Sequence, residues 1–134
     1  MPALDTNVLV RYLVQDDAAQ AEAARRLIGR CVADGQPLFV PVTVTLELEW
    51  VLRSRYAVGK DDMLLTLSRL LSAAELRFES ERALEVALHL FRQTVADFAD
   101  CLHCALALHA GESPLWTFDK GAAQVDGATW LAPP

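Results

Sequence analysis

The 134-residue sequence has no apolar run approaching the roughly 18 residues that a membrane-spanning helix requires, so no membrane span is expected. Its N-terminus lacks a basic stretch followed by an apolar core and a small-residue cleavage site, which removes any reason to expect secretion and leaves the cytoplasm as the expected address. Cysteine is scarce. Cys31, Cys101 and Cys104 are an odd number, which argues against a disulfide framework and for reduced thiols. Positive charge is also short, with 12 Lys and Arg against 18 Asp and Glu and a formal net charge of -6. That balance excludes the broadly basic surface usual in nucleic-acid binders, although a local patch counts for more than the total, and bound divalent cations reverse the local field. There is no internal repeat, low-complexity segment or linker, so one domain over 1–134 is expected.

What is present is globular: 53% apolar and 22% charged residues, arranged as short apolar runs between amphipathic stretches. Ala3–Asp5 reads as a first strand opening into a helix through Val8, Leu9, Tyr12 and Leu13. Asp16 and Asp17 are N-cap candidates for a helix with Ala24, Leu27, Ile28, Cys31 and Val32 on one side, stopped by Gly35. Leu38–Val40 is a second strand. Thr43 is expected to cap a helix to about Arg55, and a further helix carries Met63, Leu64, Leu67, Leu70 and Leu71. Leu76–Phe78, Leu115–Phe118 and Thr129–Leu131 complete the strands. Between the first two of these lie a helix capped by Ser80 and a helix holding Asp97 and Asp100, the latter ending at Gly111. Short apolar strands alternating with helices predict a three-layer α/β fold, a parallel sheet of four to five strands flanked by helices.

In such a sheet ligands sit beyond the carboxyl ends of the strands, where Asp5 and Asp119 are expected. Thr117 adds a hydroxyl on the same side of the last-but-one strand as Asp119. Asp97 and Asp100, on one helix, lie roughly 4.5 Å apart along its axis. Glu47 or Glu49 offers another carboxylate. The stripe Val44, Leu48, Val51, Leu52 narrowly favours Glu47 as the one near the site and leaves Glu49 as solvated surface. Several carboxylates in one cleft repel one another unless cations bind, and an all-oxygen set suits Mg²⁺ or Mn²⁺. The chemistry that uses such a set is metal-assisted phosphodiester hydrolysis, in which the ion acidifies a water and stabilises charge at phosphorus.

The order Leu4-Asp5-Thr6-Asn7, Glu47-Leu48-Glu49-Trp50-Val51-Leu52-Arg53-Ser54, Ala96-Asp97-Phe98-Ala99-Asp100 and Thr117-Phe118-Asp119 resembles the PIN-domain ribonucleases of the VapC toxin family over nearly the whole chain. The resemblance implies a PIN fold and a metal-dependent endoribonuclease that is the toxin of a type II toxin-antitoxin pair. It also implies Mg²⁺ or Mn²⁺ as cofactor, RNA as substrate, a VapB-like antitoxin as partner and a homodimer. Matched position by position, it assigns Asp5, Glu47, Asp100 and Asp119 as the principal acids, Asp97 as an additional ligand, and Thr6, Asn7 and Thr117 as supporting polar residues. Where some relatives carry a further acid two residues beyond the strand-end aspartate, this chain has Gly121, which weakens the case for a second metal.

Plainer readings compete with each assignment. An aspartate after a strand is often a turn former, and an acid at a helix start is favoured by the dipole, so Asp97 reads equally as cap and as ligand. Cys101-Leu102-His103-Cys104 has no second cysteine pair and sits within a helix, so core packing outweighs zinc. The arginines at 25, 26, 30, 53 and 55 read as a solvated face or as phosphate contacts, and Trp50 with Leu46 as an apolar edge suited to a partner. Two rival functions fit the same composition: a catalytically weak PIN-fold module binding RNA or antitoxin, and a flavodoxin-like phosphoryl-transfer domain. The latter is disfavoured because the second strand ends in Pro41 rather than an acid.

Overall fold

The computed structural model describes all residues 1–134 and divides into two compact units, Met1–Glu79 and Ser80–Pro134. No helix is long and apolar enough to cross a membrane.

The first unit runs α1 (Thr6–Leu13), α2 (Ala18–Ala33), β1 (Leu38–Val40), α3 (Val42–Tyr56), α4 (Lys60–Ser72) and β2 (Leu76–Phe78). β1 and β2 pair in parallel with Leu38 opposite Leu76 and Val40 opposite Phe78, and these alternate positions face the core. The expected first strand is reduced to one parallel bridge between Ala3 and Phe39, fastened by Leu4 N–H to the Phe39 carbonyl and Phe39 N–H to the Pro2 carbonyl. The reason is local: the Asp5 carboxylate accepts the Thr6 N–H at 2.7 Å and caps α1, so the chain turns helical before a ladder can extend. Asp17 caps α2 as expected, accepting from Gln20 N–H, and Gly35 follows that helix at φ +66.

α3 starts one residue before the expected Thr43 cap. Pro41 holds the cap position, where its fixed φ suits entry to a helix but its side chain accepts nothing. The acceptor comes from 37 residues away, where Glu79 Oε1 takes the Val42 N–H at 2.8 Å. Arg11 ties three elements together, donating to Gln20 at 2.7 Å and to the Tyr56 hydroxyl at 3.1 Å, while Tyr56 donates to Asp16.

The second unit runs α5 (Glu81–Arg92), α6 (Phe98–His109), β3 (Leu115–Thr117), a 3₁₀ turn (Ala122–Gln124) and β4 (Ala128–Trp130). Its core is the packing of α5 on α6. Ala83, Leu84, Ala87, Leu88 and Phe91 meet Phe98, Cys101, Leu102 and Ala105, and the Phe91 and Phe98 rings meet edge to face at 5.7 Å. Ser80 precedes α5 at φ +59 and makes no side-chain cap, against expectation. β3 and β4 pair in parallel, Leu115 opposite Ala128 and Thr117 opposite Trp130. The architecture is therefore α/β with parallel pairing, as the sequence predicts. The strands form two separate two-stranded sheets instead of one sheet of four or five.

Candidate active site

In the first unit Thr6 joins the Asp5 and Glu47 carboxylates, one through its backbone N–H and the other through its hydroxyl. Thr6 is buried at the first position of α1, its backbone N–H bonded to Asp5 and its hydroxyl donating in a short hydrogen bond to Glu47 Oε1. Asp5 and Glu47 are themselves exposed, and Asp5 uses only Oδ1 in its cap, leaving Oδ2 for a ligand. Thr6 is thus the positioning residue for both acids. Asn7 is exposed and faces a groove of about 320 Å³ between α1 and α2 that also includes Arg11 and Leu27, apart from this hydrogen-bonded set.

The helical wheel of α3 needs correction. Its buried stripe is Thr45, Leu48, Glu49 and Leu52, so Glu49 is in the core at 2% exposure and is not solvated surface. Arg53 explains how a carboxylate is tolerated there, since its Nε lies 3.0 Å from Glu49 Oε2 one turn along the helix. The shift leaves Glu47 on the open side, next to Thr6. Periodicity could not separate these two acids, because both border the apolar stripe.

In the second unit three acids share one field. Asp97 occupies the N-cap position of α6, with extended backbone (φ -68, ψ 152), yet its carboxylate makes no cap hydrogen bond. Position says cap, while the side chain remains uncommitted. Asp100 lies in the first turn. Burial pushes its pKa up, and the nearby charges of Asp97 and Asp119 push it further, against the opposing pull of His103 and a hydrogen bond from the Asp97 backbone N–H. That bond is the return half of a capping box.

Asp119 is held by main chain on both sides. Its own N–H donates to Thr117 Oγ1 at 3.0 Å, and its Oδ1 accepts from Gly121 N–H at 2.7 Å and from Ala122 N–H at 3.3 Å. Thr117 therefore supports Asp119 through the backbone. Gly121, visible in the sequence only as a missing acid, has a structural task of its own: a Cβ there would lie 3.1 Å from Asp119 Oδ1.

Cys101 and Cys104 are buried in α6 and Cys31 in α2, all as free thiols. Burial pushes the Cys104 thiol above its usual value, with Asp100 and Asp126 adding to the rise. That direction favours the protonated Cys104 thiol, which suits packing more than metal ligation. His103 is exposed, one turn along α6 from Asp100, and on α3 Trp50 is exposed with Leu46 half-buried.

No group of three or more His, Cys, Asp or Glu side chains is already disposed around a point where a metal ion could sit. The donors nevertheless fit a hard divalent cation in kind. Asp97, Asp100 and Asp119 are all oxygen donors, and each charge penalises the ionised form of Asp100, a penalty that a bound cation reverses.

An α/β chain with acids at the head of α1, on α3, at the start of α6 and after β3 defines a class, and comparison of the whole sequence identifies it. The PIN domain family model matches residues 3–128, and the chain belongs to the PIN domain family. Among characterised proteins it is similar to a VapC ribonuclease of Aquifex aeolicus (strain VF5), 25% identical over 120 residues, which are 90% of this chain and 88% of that protein.

Proposed function

We propose that this PIN-domain protein is a Mg²⁺- or Mn²⁺-dependent endoribonuclease, the toxin of a toxin-antitoxin pair. The observation that carries this reading is Asp100 at the start of α6, where burial first and the charges of Asp97 and Asp119 next disfavour its ionised form. The similarity to a protein named VapC ribonuclease supports RNA as the substrate and the toxin role; a VapB-like antitoxin as partner, a cytoplasmic address and a homodimer are further parts of the proposal.

In this reading Asp5, Asp100 and Asp119 hold metal, with Asp97 assisting, and Glu47 completes the catalytic acids. A divalent ion, when bound, supplies Lewis acidity and neutralises charge on the scissile phosphate. The protein's own contribution is orientation. Thr6 fixes Glu47 through its hydroxyl and Asp5 through its N–H, so these two acids move as one set. Thr117 and the Gly121 and Ala122 N–H groups fix Asp119 through its N–H and Oδ1, and its Oδ2 is the oxygen that would take a ligand. Burial and the neighbouring acids make the ionised form of Asp100 costlier than in a free aspartate, a cost that a bound cation would offset.

The test is cleavage of RNA by the purified chain with Mn²⁺ or Mg²⁺ and with EDTA. We expect cutting only with metal, and losses of at least about 100-fold for Asp5→Asn and Asp119→Asn, the scale on which a metal ligand or transition-state contact acts. Full cleavage by either variant, or in EDTA, would overturn the assignment.

A further inference from the structure

The side chains around the end of β3 form an aromatic surface that the reading above does not use. Trp116 and Phe118 are 59% and 68% exposed. Trp116 is the middle residue of β3 and Phe118 the first residue beyond it. Trp130, opposite Thr117 on β4, donates its indole N–H to the Phe118 carbonyl at 3.1 Å, which anchors its ring at the same corner. The Lys120 ammonium stands 5.0 Å from the Trp130 ring centroid. Asp119 is the residue between Phe118 and Lys120.

We propose that Trp116 and Phe118 are a stacking platform for unpaired bases of single-stranded RNA, with Lys120, held over Trp130, meeting an adjacent phosphate. This inference rests on the nuclease reading and adds the substrate contacts that it lacks. Position beside Asp119 decides the occupant. Arg82, Arg92 and Lys120 are the only Lys or Arg residues in Ser80–Pro134, so phosphate attraction can supply little of the affinity there. Stacking needs no net charge, works on every base and is worth about 1–3 kcal/mol per base. A protein partner would be served equally by aliphatic side chains. Flat rings bordered by one cation, on either side of an acid assigned to phosphodiester hydrolysis, match a nucleotide strand.

The test uses the full chain in EDTA, so that nothing is cut, with a fluorescent oligouridylate of about eight nucleotides and a blunt RNA duplex of the same length. We expect anisotropy to report binding of the single strand and not of the duplex, accompanied by quenching of tryptophan fluorescence. Trp116→Ala and Phe118→Ala should each weaken binding about tenfold, with circular dichroism unchanged, while Trp50→Ala leaves it intact. The slope of log affinity against log salt should be shallow, near that of about one phosphate contact, and Lys120→Met should flatten it. Binding unchanged in both aromatic variants overturns the platform, as does a change in sedimenting mass without a change in RNA affinity, which would make this face a contact between copies. Cleavage with Mn²⁺ is scored in parallel. Cutting by wild type with aromatic variants that bind normally sinks the platform alone, and platform-dependent binding with no cutting sinks the nuclease reading alone.

Discussion

Asp100 and Gly121 show how single residues govern the acids. Asp100 has a folded pKa above its unfolded value, from burial first and from Asp97 and Asp119 next. The sign follows from linkage: a raised pKa contributes stability that is fully present below the unfolded value, about pH 4, and is lost as pH rises through the folded value. At neutral pH without metal the ionised side chain therefore opposes folding. We expect Asp100→Asn to raise the thermal midpoint at pH 7 in EDTA and to lose that advantage as pH falls toward about 3.5, as read by calorimetry across pH. Gly121 works through space. Its φ of -65 is open to any residue, so Gly121→Ala adds no backbone strain, but the new methyl meets Asp119 Oδ1 at 3.1 Å. The carboxylate must shift by a few tenths of an ångström. We expect metal-dependent cleavage to fall about tenfold while stability changes by less than about 1 kcal/mol, since small displacements of a reacting group are costly and surface substitutions are not. The places of Asp5, Asp100 and Asp119, at the head of α1, in the first turn of α6 and after β3, are legible in the sequence because helix starts and a strand end announce them locally. Gly121's task is not, because it depends on where a carboxylate oxygen comes to rest.

α3 shows where pattern reading fails for an element. Its apolar residues occur on more than one face, so the stripe through Val44 and Val51 and the true one through Thr45, Leu48, Glu49 and Leu52 fit the sequence about equally well. Only packing chooses between them. Its N-terminus was equally hidden, because the Glu79 carboxylate that takes the Val42 N–H comes from beyond β2. The first strand failed for a related reason, since Asp5 spends its side chain on α1 and leaves β1 a single bridge partner. By contrast the buried face of α5 is legible, as it follows an unbroken helical period and finds a partner in α6, although the expected Ser80 cap is not made. The buried Glu49–Arg53 pair gives a test of α3. Arg53 is 46% exposed and can rehydrate, so Glu49→Ala should cost chiefly the emptied volume, about 2–3 kcal/mol in urea unfolding. Glu49→Met, which refills that volume without charge, should cost less than about 1 kcal/mol. A methionine variant as damaged as the alanine would show that the ion pair itself is what the helix requires.

For the molecule as a whole, folding and function pull on the same charges. Formal net charge is -6, and the salt bridges engage Asp16, Glu22 and Glu49 and none of the acids assigned to metal. The chain therefore folds with part of its negative field unneutralised, and no set of three ligands already surrounds a metal position. Metal should accordingly bind weakly without substrate, and binding should appear as stability, because only the folded chain brings its donors into order. At 100 times the dissociation constant a ligand of the folded state adds about 2.7 kcal/mol, a rise in thermal midpoint of roughly 5–10 °C for a chain of this size. We expect millimolar Mn²⁺ to raise the midpoint of the wild type over its value in EDTA, and matched concentrations of K⁺ at equal ionic strength to leave it unchanged, since screening alone is not ligation. Asp119→Asn should fold normally and lose most of the response. An equal response in that variant would place the ion elsewhere on the acidic surface and would separate metal stabilisation from the acids to which catalysis is assigned.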